Sequence, residues 1–119
     1  MDTRGFDVIR VDIKPLSVNR AWQGRRFKTP EYKAYEQEML LRLPIADMTE
    51  IPDGDLLVCY EFGLSNILAD WDNPVKPFQD ILQKKYGFSD ARIVEAHVKK
   101  VKVPKGAEYA SFELIGIGQ

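Results

Sequence analysis

The sequence predicts a two-layer α+β domain: a mixed β-sheet with two main helices, in the order β-α-β-α-β-β. Three observations carry this. Four segments are rich in apolar residues at strand spacing, and two carry apolar residues at helical spacing between a cap and a stop. The 119 residues, 45% hydrophobic and 29% charged, suffice for one core but not two, so residues 1–119 read as a single domain.

Residues 6–13, FDVIRVDI, put Ile9, Val11 and Ile13 on one side of an extended chain, as in a strand with one buried face. Residues 14–27 read as a long loop, with Pro15, Asn19 and Gly24 as turn residues. The first helix starts at Thr29, an N-cap, with Pro30 at the first helical position and Glu31 near the positive end of the dipole. Tyr32, Tyr35, Glu36, Met39, Leu40 and Leu43 share one face, and Pro44 ends the helix. A polar connector then leads to DLLVCYEFG, residues 55–63. Leu56, Val58, Tyr60 and Phe62 line one face and Leu57 and Cys59 the other, which predicts a central strand.

In the second helix, Asn73 is the expected cap and Pro74 the first residue, with Phe78, Ile81, Leu82 and Lys85 along one stripe. Lys84 and Lys85 suit its last turn and Gly87 its exit. Pro77 removes an early helical hydrogen bond, so the regular helix is expected to begin there. Residues 92–103, RIVEAHVKKVKV, form the third strand. Val94, Ala96 and Val98 share a face, Val101 and Val103 fall out of phase, and a β-bulge at Lys99–Lys100 accounts for the slip. Residues 104–107 turn the chain, and 108–117 return as the fourth strand with Ala110, Phe112 and Leu114 on one side. The short loop predicts an antiparallel hairpin between these last two strands.

Net charge is -1 and the sequence pI about 5.8, which does not suggest a basic nucleic-acid binder. The distribution is less even. Residues 20–28 hold Arg20, Arg25, Arg26 and Lys28 without an acid, and residues 97–105 hold Lys99, Lys100, Lys102 and Lys105 likewise. Solvated faces explain either run alone; together they are a candidate phosphate-contacting surface. The lone Cys59 excludes an internal disulfide and suggests a reducing compartment. No apolar run approaches the roughly 20 residues of a membrane span. The first residues lack the apolar stretch of a signal peptide, so a cytoplasmic protein is expected.

The chemistry-bearing stretch is ADWDNPVKP, residues 69–77. On an extended chain Asp70 and Asp72 point the same way and repel unless something offsets their charge. The offset is either a helix cap or a hard divalent cation. If the second and third main strands are neighbours, Asp90 returns to the same edge as a third oxygen ligand, a setting that suits Mg²⁺ or Mn²⁺. Lys76, within one helical turn of Asp72, is placed to neutralise the acids. Other machinery fails on inspection. Val75 and Ile81 stand where a calcium loop needs Gly and Glu. One Cys59 and one His97 do not make a zinc site, and a serine triad has no spare histidine, so His97 reads as structural. There is no glycine-rich phosphate loop or dinucleotide fingerprint, hence no expected nucleotide cofactor.

The pattern D-W-D-N-P-V-K, a short helix and then G-F-S-D-A-R-I-V resembles the RusA family of Holliday junction resolvases, found in bacteria and their phages. P-L-S-V-N-R, residues 15–20, is similar to that family's N-terminal loop, and length and element order agree along nearly the whole chain. The resemblance implies a RusA-like fold and a homodimeric endodeoxyribonuclease that resolves four-way DNA junctions with Mg²⁺ or Mn²⁺. It would act in the bacterial cytoplasm, or in the host's if phage-encoded. It makes Asp70, Asp72 and Asp90 the metal-binding carboxylates and Lys76 the essential lysine. Asn19, Arg20, Arg25, Arg26 and Lys28 would contact DNA phosphates, and Asn73 would support Asp72. Two departures from the family pattern stand out: Ile67, Leu68 and Ala69 replace basic residues before the first Asp, and Ser89 replaces an acid before Asp90. A non-catalytic branched-DNA-binding module, and a nuclease acting on flaps or forks, are the alternatives.

Overall fold

The computed structural model of the chain describes residues 8–24, 27–45, 51–66 and 68–117. In chain order these form β1 (Ile9–Val11), β2 (Trp22–Gln23), β3 (Phe27–Lys28), α1 (Pro30–Arg42), β4 (Asp55–Leu64), α2 (Val75–Tyr86), β5 (Ile93–Lys102) and β6 (Tyr109–Ile117). The long strands and both helices follow the predicted order in an α+β fold with one mixed sheet, β1-β6-β4-β5. β4 is central, as its two apolar faces require.

Local chemistry sets the helix ends. Thr29 Oγ1 accepts from the Tyr32 N–H at 3.1 Å, and Pro30 occupies the first turn of α1. α1 buries Tyr32, Tyr35 and Met39 into the same core that α2 fills with Phe78, Ile81, Leu82 and Tyr86. Phe78 stacks edge-on against Tyr60 and Phe62, each with ring centroids 5.4 Å apart. Leu56, Val58, Tyr60 and Phe62 are buried on the helix side of β4, while Leu57, Cys59 and Glu61 on its other face are half-buried. The sheet is therefore covered by helices on one face only.

Several expectations are corrected. The last two strands form no hairpin: β6 pairs antiparallel with both β1 and β4, and β5 pairs with β4 alone, in parallel. A strand–helix–strand crossover sets β5 beside β4. The apolar β6 then takes the interior place, and the lysine-rich β5 takes the solvated edge. The bulge is not at Lys99–Lys100, where pairing is regular. The irregularity lies between Leu56 and Leu57, which face Ile93 and Glu95, so Val94 is the extra residue.

Finally, Asn73 does not cap α2. Pro74 occupies the cap position with no side-chain hydrogen bond, and α2 starts at Val75. Pro77 thus falls in the first turn, where its missing N–H leaves no bond unmade. The segment read as loop, residues 14–27, also holds β2 and the first residue of β3, which pair antiparallel. Residues 6 and 7 of the first predicted strand lie outside the described residues.

Candidate functional site

The acidic loop leaves the C-terminal end of β4. Asn66 starts it, its Oδ1 accepting from the Leu68 N–H at 3.0 Å and its carbonyl from the Ala69 N–H at 3.1 Å. The chain then turns rather than extends: the Asp70 carbonyl accepts from the Asn73 N–H at 3.3 Å and the Asp72 carbonyl from the Val75 N–H at 3.1 Å. Asp70 and Asp72 are exposed, and the apolar Leu68 and Trp71 beside them are 85% and 55% exposed.

Two cations border this loop. Lys76 pairs with Asp80, one helical turn on, at 3.0 Å, rather than with the acids before it as expected. Lys100 of β5 instead donates its Nζ to the Ala69 carbonyl at 2.7 Å, next to Asp70. Sequence reasoning named Lys100 only within the basic run 97–105 and missed its place at this loop. The signal was the phase of β5: regular pairing puts Lys100 on the helix side, opposite Phe62.

The basic loop meets the acidic one directly. Ser17 Oγ accepts from the Asn19 N–H at 3.1 Å and starts a single 3-10 turn, Val18–Arg20. The Val18 N–H donates to the Asn73 carbonyl at 2.8 Å, fixing P-L-S-V-N-R against D-W-D-N. This bond uses Asn73 through its backbone. Asn19 and Arg20 are exposed, and Arg20 keeps only a loose contact with Glu31 at 3.6 Å. Lys28 is engaged: its Nζ donates to both carboxylate oxygens of Glu36, at 3.0 and 3.1 Å. Arg25 and Arg26 lie outside the described residues. Trp22 packs edge-on against Tyr32 with centroids 5.5 Å apart, so it belongs to the core side, whereas Phe27 is 70% exposed. Gln23, Phe27, Lys28 and Lys33 line a shallow open depression of about 550 Å³.

Asp90 lies elsewhere. It opens the 3-10 turn Asp90–Arg92, where Ser89 Oγ accepts from the Ala91 N–H at 3.1 Å. Arg92 Nε donates to the Gly54 carbonyl at 2.8 Å, and its guanidinium also reaches the Pro52 carbonyl. Both contacts anchor Asp90 at the N-terminal end of β4. The register pairs Ile93 with Leu56 but Lys100 with Phe62. At about 3.3 Å per residue, the strand between Ile93 and Lys100 alone spans about 23 Å. The expectation that Asp90 returns to the edge bearing Asp70 and Asp72 is therefore not met within one chain. In a parallel pair the connecting helix carries the chain back to the opposite end.

Asp70 and Asp72 are oxygen donors of the kind Mg²⁺ takes. A single chain does not bring the third carboxylate to them. Among the described residues no group of three or more His, Cys, Asp or Glu side chains stands close enough to hold an ion. His97 is exposed and pairs with Glu95 at 2.8 Å, away from the acidic loop. No helix among the described residues is long and apolar enough to cross a membrane. No family model matches this chain, and no curated protein matches it.

Proposed function

We propose that this protein is a RusA-like, metal-dependent endodeoxyribonuclease acting on branched DNA, with the four-way junction as substrate. One observation carries the reading. Two segments far apart in sequence, P-L-S-V-N-R and D-W-D-N, are joined by the Val18–Asn73 hydrogen bond at 2.8 Å. That contact joins the loop that carries the exposed Arg20 to the loop that carries the exposed Asp70 and Asp72, and phosphodiester hydrolysis uses both kinds of group.

In this reading Arg20 and Asn19 hold backbone phosphates, which positions the strand without reading its sequence. Asp70 and Asp72 supply hard oxygen donors. A divalent ion, when bound, would supply charge stabilisation and a more acidic water. Lys100 and Lys76 offset the negative charge that accumulates where acids and phosphate meet. Trp71, exposed between the two acids, offers a flat apolar surface to an unstacked base. Resolving a junction takes two symmetric cuts, which calls for a two-fold pair of chains.

The test is purified protein with Mg²⁺ or Mn²⁺ on labelled four-way junctions, flaps, forks and linear duplex. Paired cuts in the junction alone are expected. Asp72→Asn should lower cleavage at least about a hundredfold with the melting temperature unchanged. Equal cutting by that variant removes the catalytic assignment, and faster cutting of flaps or forks moves the substrate. Tight junction binding with no cutting under either metal identifies a non-catalytic module, the alternative that the distance of Asp90 within one chain favours.

A further inference from the structure

We infer that Lys100 is the resident counter-charge of the acidic loop. Its ammonium holds the chain at Ala69 and offsets the repulsion between Asp70 and Asp72, so a divalent ion that enters the loop binds against it. The first half stands on contacts within the free chain. The consequence for the ion rests on the nuclease reading above.

The acid-free run at residues 97–105 carries four lysines, and Lys99, Lys102 and Lys105 are exposed. Lys100 is half-buried. Regular pairing sets it opposite Phe62, on the side of the sheet that the helices cover, where an apolar side chain would ordinarily stand. Its Nζ donates to the Ala69 carbonyl at 2.7 Å, and among the described residues it forms no ion pair. An ammonium partly withdrawn from water and bonded only to a neutral carbonyl is costly to hold. Something other than packing keeps it there.

The loop does not need this bond for its shape. Asn66 holds the N–H groups of Leu68 and Ala69, the Asp70 and Asp72 carbonyls hold those of Asn73 and Val75, and Val18 grips the Asn73 carbonyl. What the loop lacks is positive charge. Asp70 and Asp72 make no ion pair among the described residues, and Lys76 is taken by Asp80 at 3.0 Å. Lys100 delivers an ammonium one peptide unit from Asp70. Partial burial lowers the local dielectric, which strengthens its field on both acids.

The charge is tested apart from the bond. Lys100→Met removes both, Lys100→Gln keeps an N–H for the carbonyl, and Lys100→Arg keeps the charge. Melting temperatures are read in EDTA with and without Asp70→Asn. Asp70→Asn should shift the melting point upward by at least about 2 °C more in the two neutral variants than in wild type, because it then relieves repulsion instead of removing an attraction. The difference should shrink at about 1 M salt, and Lys100→Arg should follow wild type. Additive shifts in the neutral variants that fold overturn the counter-charge.

Mn²⁺ binding, counted by loss of the free-ion electron paramagnetic resonance signal, gives the second readout. Both neutral variants should hold Mn²⁺ at least about threefold tighter than wild type, whereas loss of a mere loop support would loosen it. Mn²⁺ held equally or less tightly overturns the antagonism. If neither they nor wild type take Mn²⁺, the metal reading fails and the melting cycle alone decides Lys100. Additive melting shifts in a protein that cuts four-way junctions sink the counter-charge and leave the nuclease standing. Coupled shifts in a protein that cuts no branched DNA do the reverse.

Discussion

Glu36 shows how one side chain can tie three segments together. Its carboxylate receives Lys28 from β3 at 3.0 Å and Lys84 from α2 at 3.2 Å, and its side chain is only 14% exposed. Burial alone would raise its pKa; the hydrogen bonds and charges of the two lysines outweigh that and hold it below the ordinary 4.5. The unfolded chain therefore binds this proton more readily. The stability from the triad is complete above about pH 4.5 and is lost as pH falls through the folded value. Glu36→Gln should cost about 1–3 kcal/mol at neutral pH and flatten the acid limb, read from urea midpoints against pH. Tyr35 behaves oppositely. Its hydroxyl is buried beside the Leu16 backbone without a hydrogen bond of normal geometry, and burial pushes its pKa up. Tyr35→Phe should be neutral or stabilising by up to about 1 kcal/mol, and a fall in melting temperature would show an unrecognised partner. Side chains whose neighbours are local were legible in the sequence: Thr29, Tyr32 and Met39 sit as their spacing requires. Lys28 was not, because its acid-free surroundings suggested phosphate contacts while its partner lies across a loop in α1.

Among the elements, β4 is the frame on which the others are registered. Gly63 near its end leaves room for the Tyr109 ring; a Cβ there would stand 2.3 Å from Tyr109 Cε1. That ring in turn carries the Arg10 guanidinium 3.9 Å from its centroid and donates its hydroxyl to Glu61 at 2.5 Å. Gly63→Ala should therefore destabilise by about 1–3 kcal/mol through overpacking, measured by chemical denaturation, and an unchanged midpoint would mean that the ring swings clear. Element existence was readable, since capping chemistry and apolar periodicity are local. The second helix was placed with the wrong cap, because Asn73 is drawn instead into the turn that meets Val18. The β2–β3 hairpin is too short to leave a periodic signal.

The whole molecule departs from the sequence reading in which strands neighbour each other. Strand order depends on non-local choices that no window of residues records. A six-residue connection looks like a hairpin whether it closes on the adjacent strand or steps over one. The placement of Asp90 inherits that ambiguity: adjacency of β4 and β5 entered only as a condition, and the consequence of their parallel direction was not drawn. The same topology makes folding non-local: β1 waits for a partner, Ile9 against Phe112, about a hundred residues away, so refolding in milliseconds to seconds is expected in stopped-flow fluorescence. A microsecond phase carrying the full amplitude would show that local structure dominates instead. During synthesis the order is fixed by the ribosome. The strand that emerges first lies against the one completed last, and the central strand meanwhile has only one of its two neighbours to hold. A nascent chain stopped before Phe112 therefore leaves Ile9 without its partner and β4 held along one side only, by β5.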